Sequence, residues 1–315
     1  MRLFKQIVKR IVGKINCKIQ ATKKVNNCYV TYAGSGDGVG SQIHSILSIL
    51  LFAKKFNLTY VHTPVKNIEH YKGDRAEWSL HWEEFFSLGN NEIQIKALES
   101  SHVKRVFVKF PFLLNKKSDK LYMVSNCHSY TDTCPADFSL IIDDLRKKYN
   151  IKNASSSRIN PSQLQLCVHI RRGDVDAINI NSFRYSSNSY ILKNLVKVLE
   201  FYNRQSIDCK VYIYSQGEEK DFLEFKELNA TFCLNEDEFT TFDNLVNADI
   251  LVAAKSSFSY VAGLLNKGIV FYEPFWHKPL PSWINITASE EQIAAILTKQ
   301  MNKDNFRQDI FHSVL

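Results

Sequence analysis

No run in the 315 residues approaches the roughly 20 apolar residues that a membrane-spanning helix needs. The richest stretch, 46–53, has the length of one buried element. There is no Cys-x-x-Cys and no cysteine–histidine run with metal-ligand spacing. The seven cysteines are odd in number and scattered in apolar contexts, which points to reduced, buried thiols and a cytoplasmic protein. Acid is missing from the first 24 positions, which hold Arg2, Lys5, Lys9, Arg10, Lys14, Lys18, Lys23 and Lys24. Those eight account for the whole net charge of +8, because the other 32 basic residues balance the 32 acidic ones. A nucleic-acid binder spreads basic residues over a folded face, so a neutral body with a basic tail argues against that partner.

Within residues 1–24, Leu3, Ile7, Ile11, Val12 and Ile15 recur at helical spacing among the basic residues. Two readings stay open: a basic amphipathic helix lying on an anionic membrane surface, and a solvated terminus. The first would make the protein peripheral on the inner membrane face. Lys9, Arg10 and Lys14 interrupt any apolar core of a secretory signal.

What is present beyond the tail is an alternation of strands and helices. Residues 28–32 predict a strand, 34–40 a glycine loop, 41–56 a helix and 58–62 a strand, which is a βαβ unit. Residues 64–120 carry little readable periodicity, apart from one helix around Trp78, Trp82, Phe85 and Phe86. A strand over 121–124 and a helix over 138–149 follow. The polar, serine-rich stretch 150–163 with Pro161 marks a domain boundary. Beyond it, strands at 164–170, 210–214, 230–233, 250–253 and 268–272 alternate with helices at 189–203, 218–228, 240–247, 257–266 and 288–302. The fold class expected is α/β, with two Rossmann-like domains, 25–155 and 156–315, facing across a cleft.

In such sheets, function collects where strands end. After the 164–170 strand stand Arg171 and Arg172, with Asp174 beyond Gly173. Paired arginines at the end of a buried strand are costly unless an anion or carboxylate meets them, and the guanidinium fork suits phosphate. A structural Arg–Asp pair is the other reading. After the 250–253 strand, Ser256 and Ser257 open a helix whose free N–H groups favour phosphate; the simpler alternative is an N-cap. The loop Gly34-Ser-Gly-Asp-Gly-Val-Gly40 lacks both the dinucleotide glycine spacing and a Walker lysine, which disfavours a nicotinamide oxidoreductase. It does hold Asp37 between Gly36 and Gly38 on a bare backbone, either as a general base or as a turn-stabilising carboxylate.

His169-Ile-Arg-Arg-Gly-Asp174 resembles the HxRRxD motif of the fucosyltransferases that use GDP-fucose and fold as two Rossmann-like halves, termed GT-B. The likeness extends over 211–217 and 248–259 and ends near 271–274. It implies a metal-independent inverting glycosyltransferase with no cofactor and a GDP-sugar as donor. The sugar would be L-fucose or a related one, passed to an oligosaccharide or lipid-linked glycan in bacterial surface polysaccharide synthesis. It also implies that Arg171 holds the β-phosphate, that His169 lies against the nucleotide, and that Ser256 and Ser257 touch the diphosphate. In some relatives an acid follows ten residues after the motif histidine; here that position is Asn179, a departure. Asp37 resembles the glycine-loop acid of another group, with Asp174 and Asp176 as further candidates for the base. Another GDP-linked sugar, such as a heptose, and a non-catalytic nucleotide-binding homologue are the alternatives.

Overall fold

The computed structural model describes residues 28–99, 101–112, 119–153, 163–178 and 182–303. The basic segment 1–24 and Asn179 lie outside the described residues. The chain divides into two units, Met1–Ser155 with His277–Pro281, and Ser156–Trp276 with Ser282–Leu315. The return of His277–Pro281 to the first unit departs from the expectation of one unbroken second domain.

The first unit holds a five-stranded, all-parallel sheet ordered β3-β2-β1-β5-β4. These strands are β1 (Cys28–Tyr32), β2 (Thr59–His62), β3 (Ile93–Gln94), β4 (Lys104–Val108) and β5 (Lys120–Val124). Helix α1 (Val39–Phe56) crosses between β1 and β2, and α2 (Arg75–Phe86) follows β2. Short helix α3 (His128–Thr131) and longer α4 (Ile142–Asn153) complete the unit. Ile43, Ile46, Leu47, Ile49, Phe52, Ala53 and Phe56 bury the inner face of α1 at helical spacing. The helix expected over 138–149 is instead a 3₁₀ turn, Pro135–Leu140, followed by α4. Ile141, with φ −129° and ψ −15°, breaks the two apart.

The second unit holds a six-stranded, all-parallel sheet ordered β11-β10-β9-β6-β7-β8. The strands are β6 (Leu164–His169), β7 (Cys209–Ser215), β8 (Thr231–Leu234), β9 (Ile250–Ala253), β10 (Ile269–Tyr272) and β11 (Ile284–Asn285). Helices α5 (Asn188–Arg204), α6 (Glu238–Asn247), α7 (Ser257–Leu265) and α8 (Glu290–Lys303) connect or follow them. Leu164, Leu166 and Val168 alternate onto one face, where they meet Leu195, Val198, Phe201 and Tyr202 of α5 and Ile293 and Leu297 of α8. Gln165 and Cys167, on the other face, are also buried, so β6 is covered on both sides. The stretch 218–228 forms a 3₁₀ segment rather than an α-helix, bent at Phe222. Phe222 and Phe225 are both fully buried, and a spacing of three places them on one side of a 3₁₀ turn.

Both sheets are therefore parallel and Rossmann-like, and the α/β class is the one observed. Among the described residues no helix is long and apolar enough to cross a membrane. None of the six cysteines among the described residues forms a disulfide, and Cys28, Cys127, Cys167 and Cys233 are buried.

One side chain closes the turn region between α6 and β10. Buried Asn266 donates through Nδ2 to the carbonyls of Leu245, Val246 and Ala248 at 3.1, 3.0 and 2.9 Å. Its Oδ1 accepts the Gly268 N–H at 2.6 Å. Asn266→Ala would strand several buried polar groups at once and is expected to cost about 2–4 kcal/mol of stability. Denaturant unfolding measures this; a loss below about 0.5 kcal/mol, the range of ordinary surface changes, would show that the carbonyls find other partners.

Candidate functional site

The strand order of the second sheet reverses at β6. From β6 the chain moves outward to β7 and β8, then returns to place β9 on the opposite side of β6. Val168 is in register with Ile213 on one side and Val252 on the other. The carboxyl ends of β6 and β9 thus flank a switch point, where the two onward connections diverge and leave a crevice. A pocket occupies that position, lined among others by His169, Arg171, Arg184, Tyr190, Ala254 and Glu273.

Local bonds fix how β6 delivers Arg171. The Ile170 N–H donates to the Tyr214 carbonyl, and the Ile170 carbonyl accepts from Ser215 Oγ. Gly173 follows at φ +85°, a left-handed conformation in which a side chain would also collide with the Gln216 side-chain oxygen. The turn brings Asp174 back to Arg171, whose Nη2 donates to its Oδ2 at 2.6 Å. Arg184 Nη1 stands 4.0 Å from the same oxygen. The enclosed Arg171 Nε has no hydrogen-bond partner among the described residues. A buried donor left unmade costs about 1–3 kcal/mol.

Arg172 has a different fate. Its Nη1 donates to the Arg171 carbonyl, and Nη2 donates to the Ser186 carbonyl and Asn188 Oδ1. The guanidinium carbon sits 4.4 Å from the centroid of the Tyr185 ring. Burial lowers its pKa. The second arginine of the pair thus lines the same pocket while its guanidinium is hydrogen-bonded within its own unit.

His169 closes the strand with its ring near Phe258, centroids 5.7 Å apart. Burial, and secondarily the Arg171 charge, lowers its pKa to about 3, so the ring is neutral at physiological pH. Its Nδ1 is enclosed and has no hydrogen-bond partner among the described residues. Ser256 is buried and caps α7, accepting the Phe258 N–H at 3.3 Å. The half-buried Ser257 is the first residue of that helix.

Two residues that the sequence did not single out complete the pocket. Glu273 follows β10 as Arg171 follows β6 and Lys255 follows β9. It takes an ion pair from Lys255 at 3.0 Å and the Ser186 hydroxyl at 2.6 Å. Tyr190 bonds to it as well, and burial followed by the Glu273 charge raises the phenol pKa to about 12. Lys255 Nζ also donates to the carbonyls of Phe183 and Tyr185, which pins the 182–187 segment over the strand ends. Reading the residue after every strand, not only after β6 and β9, is the signal that would have found Glu273.

Asp174 and Asp176 are spaced as Asp-x-Asp, a spelling that metal-using sugar transferases employ. Here Asp174 faces Arg171 and Arg184, and Asp176 accepts the Ile178 N–H at 2.7 Å. These contacts place the Asp174 carboxylate between Arg171 and Arg184.

Asp37, Gly36 and Gly38 belong to the first unit, at the loop after β1. Exposed Asp37 accepts the Gly38 N–H at 2.7 Å and the Ser41 hydroxyl at 2.6 Å. Its carbonyl accepts from Gln42 Nε2, which also bonds the Lys66 carbonyl. The carboxylate holds the turn into α1. Gly36 is exposed, and the Gly38 N–H is already given to Asp37.

Fold and site together define an α/β protein of two parallel-sheet units, with a cationic pocket at the strand switch point of the second. No family model matches the chain, and no curated protein matches it. Among solved structures it is similar to the NodZ alpha-1,6-fucosyltransferase soaked with GDP-fucose, at 10% identity and a TM-score of 0.43, over 76% of this chain and 93% of that one. It is also similar to fucosyltransferase NodZ from Bradyrhizobium, at 12% identity and a TM-score of 0.40, over 78% and 94%. A third, NodZ co-crystallized with GDP, gives 12% and 0.41 over 80% and 97%. At such identity and overlap the likeness carries no weight for substrate or mechanism.

Because His169 is held neutral, the native protein binds fewer protons than the unfolded chain once pH drops below the ordinary histidine value of about 6.5. Stability from this group is therefore complete above about pH 6.5 and is lost as pH falls toward about 3. The ring resonances of His169 are expected not to move in NMR between about pH 5 and 8, and His169→Gln should shift acid unfolding to lower pH. A titration midpoint near the ordinary value of about 6.5 would show the ring to be solvated.

Proposed function

We propose that this chain is a glycosyltransferase that takes L-fucose or a related sugar from a GDP-sugar and passes it to a glycan acceptor. The observation that supports this best is Arg171: one end is fixed by Asp174 and the enclosed Nε still lacks an acceptor, at a switch-point pocket. As the bond between the sugar and the β-phosphate breaks, negative charge grows on the departing diphosphate. A prepositioned guanidinium and the N-terminus of α7 stabilise that charge more than they stabilise the bound donor, which lowers the barrier. Arg184 and Lys255 add positive field beside it, and neutral His169 offers a donor and an acceptor to the nucleotide. This charge work needs no metal in the transfer step and no separate cofactor.

Inversion requires a base for the acceptor hydroxyl, and Asp37 is the residue we assign. Its two engaged oxygens favour a second reading, a non-catalytic nucleotide-binding homologue, since both already accept hydrogen bonds that hold the turn into α1. A heptose or other GDP-linked sugar is compatible with the same phosphate contacts. The acceptor is read as an oligosaccharide or lipid-linked glycan of a surface polysaccharide. The basic segment 1–24 would then lie against the anionic inner face of the membrane, consistent with the reduced cysteines of a cytoplasmic protein.

Thermal unfolding without added metal, in the presence of GDP, UDP, CDP, ADP or NAD, tests the donor assignment. GDP at about 100 times its Kd should stabilise by roughly 2.7 kcal/mol, and Arg171→Ala should abolish the shift. A shift with UDP or CDP alone would replace the guanosine donor, and no shift with any nucleotide would remove Arg171 as a phosphate clamp. With the donor known, Asp37→Asn should lower transfer by about 10²–10⁴-fold with nucleotide binding kept. Unchanged transfer would free Asp37 of the role, and no transfer by the parent protein would select the non-catalytic reading.

A further inference from the structure

The first unit carries a histidine cluster that the phosphate site does not use. His44 lies on the inner face of α1, His128 opens α3, and His277 belongs to the segment that returns from the far end of the chain. One ring nitrogen from each of the three lies within 4.8 Å of the others. His44 Nδ1 and His277 Nε2 are 3.2 Å apart, although 233 residues separate them in sequence. The His44 and His128 rings stack at 4.4 Å between centroids, and His277 meets both edge-on, at 4.1 and 4.8 Å. His277 Nδ1 stands 3.5 Å from Asp132 Oδ1, which also accepts the Lys278 N–H at 3.1 Å.

We propose that His44, His128 and His277 form a zinc site in the first unit, with Asp132 orienting His277, and that the ion fastens His277–Pro281 to α1 and α3. Imidazole sets of this kind select zinc and its transition-metal neighbours over magnesium or calcium, which take oxygen. Tetrahedral zinc, with bonds of about 2.0–2.1 Å to nitrogen, places its ligands roughly 3.3 Å apart, the spacing His44 and His277 already have. Turning the half-buried His128 ring about its side-chain torsions brings in the third nitrogen. The contact of His277 with Asp132 is the carboxylate–histidine arrangement that commonly backs a metal ligand, leaving the other ring nitrogen for the ion. In sequence the three ligands share no motif, and only the folded first unit brings them together.

The test uses untagged full-length protein from zinc-supplemented cells. Elemental mass spectrometry should find about one zinc per chain, and a chelator should remove it while lowering the thermal midpoint. Cobalt substitution should give the visible absorption of a tetrahedral nitrogen site. Asp132→Asn should weaken zinc affinity by about 10–100-fold, His277→Ala should lose the metal, and exposed His81→Ala should keep it. The proposal is overturned if the protein neither retains zinc nor changes its midpoint when one equivalent is added. It is equally overturned if His277→Ala holds zinc as tightly as the parent, or if the cobalt form shows thiolate charge-transfer absorption. The cobalt spectrum is read on the parent protein, so a misfolded variant does not decide the matter.

Discussion

The second unit depends on the parallel pairing of β6 with β7 on one side and β9 on the other. A strand with neighbours on both edges and helices on both faces is buried along its length, and Leu164–Val168 is, with Gln165 the one polar side chain among four apolar ones. Its polar business is therefore displaced to its end. There the two outward paths of the chain separate, and the strand delivers His169 and Arg171 into the gap. The same constraint brings Lys255 and Glu273 alongside, since each follows a neighbouring strand that points the same way.

Charges in this gap are arranged by mutual restraint. Asp174 holds one end of Arg171, Glu273 holds Lys255, and Arg172 spends its donors on backbone carbonyls and Asn188. Such pairing avoids the cost of burying bare charge. It leaves Arg171 Nε, like His169 Nδ1, enclosed without a hydrogen-bond partner among the described residues. In the first unit the equivalent strand end is built differently. Its glycine loop is stabilised by the Asp37 carboxylate itself, through Gly38 and Ser41, and the residues after it are anchored by buried Gln42.

Much of this was legible in the chain. The strands and helices of the second unit follow from alternation and helical periodicity, and Arg171 stands out because two arginines at the end of an apolar strand are costly. The edge strands β3, β4 and β11 escaped notice for a physical reason: two of them have only two residues, and β4 is largely exposed, with Phe107 on the surface. The helix expected over 218–228 is present as the 3₁₀ segment Glu219–Leu228, whose type the sequence does not disclose because spacings of three and four are hard to separate over so short a run. Adjacent residues share composition but not partners, so only the fold shows that Asp174 meets Arg171 while the Arg171 and Ser186 carbonyls and Asn188 meet Arg172.

The sequence by itself determined the local elements, the parallel α/β class, the glycine-dependent turn after β6 and the cation at its end, because those depend on residue spacing and on conformations available to single residues. Tertiary structure alone decided the meeting of Lys255 with Glu273 and of His44, His128 and His277, along with the return of His277–Pro281 to the first unit. Those pairings are between residues distant along the chain, and no local pattern records them; they arise when strand order and burial choose which ends of which elements share one space.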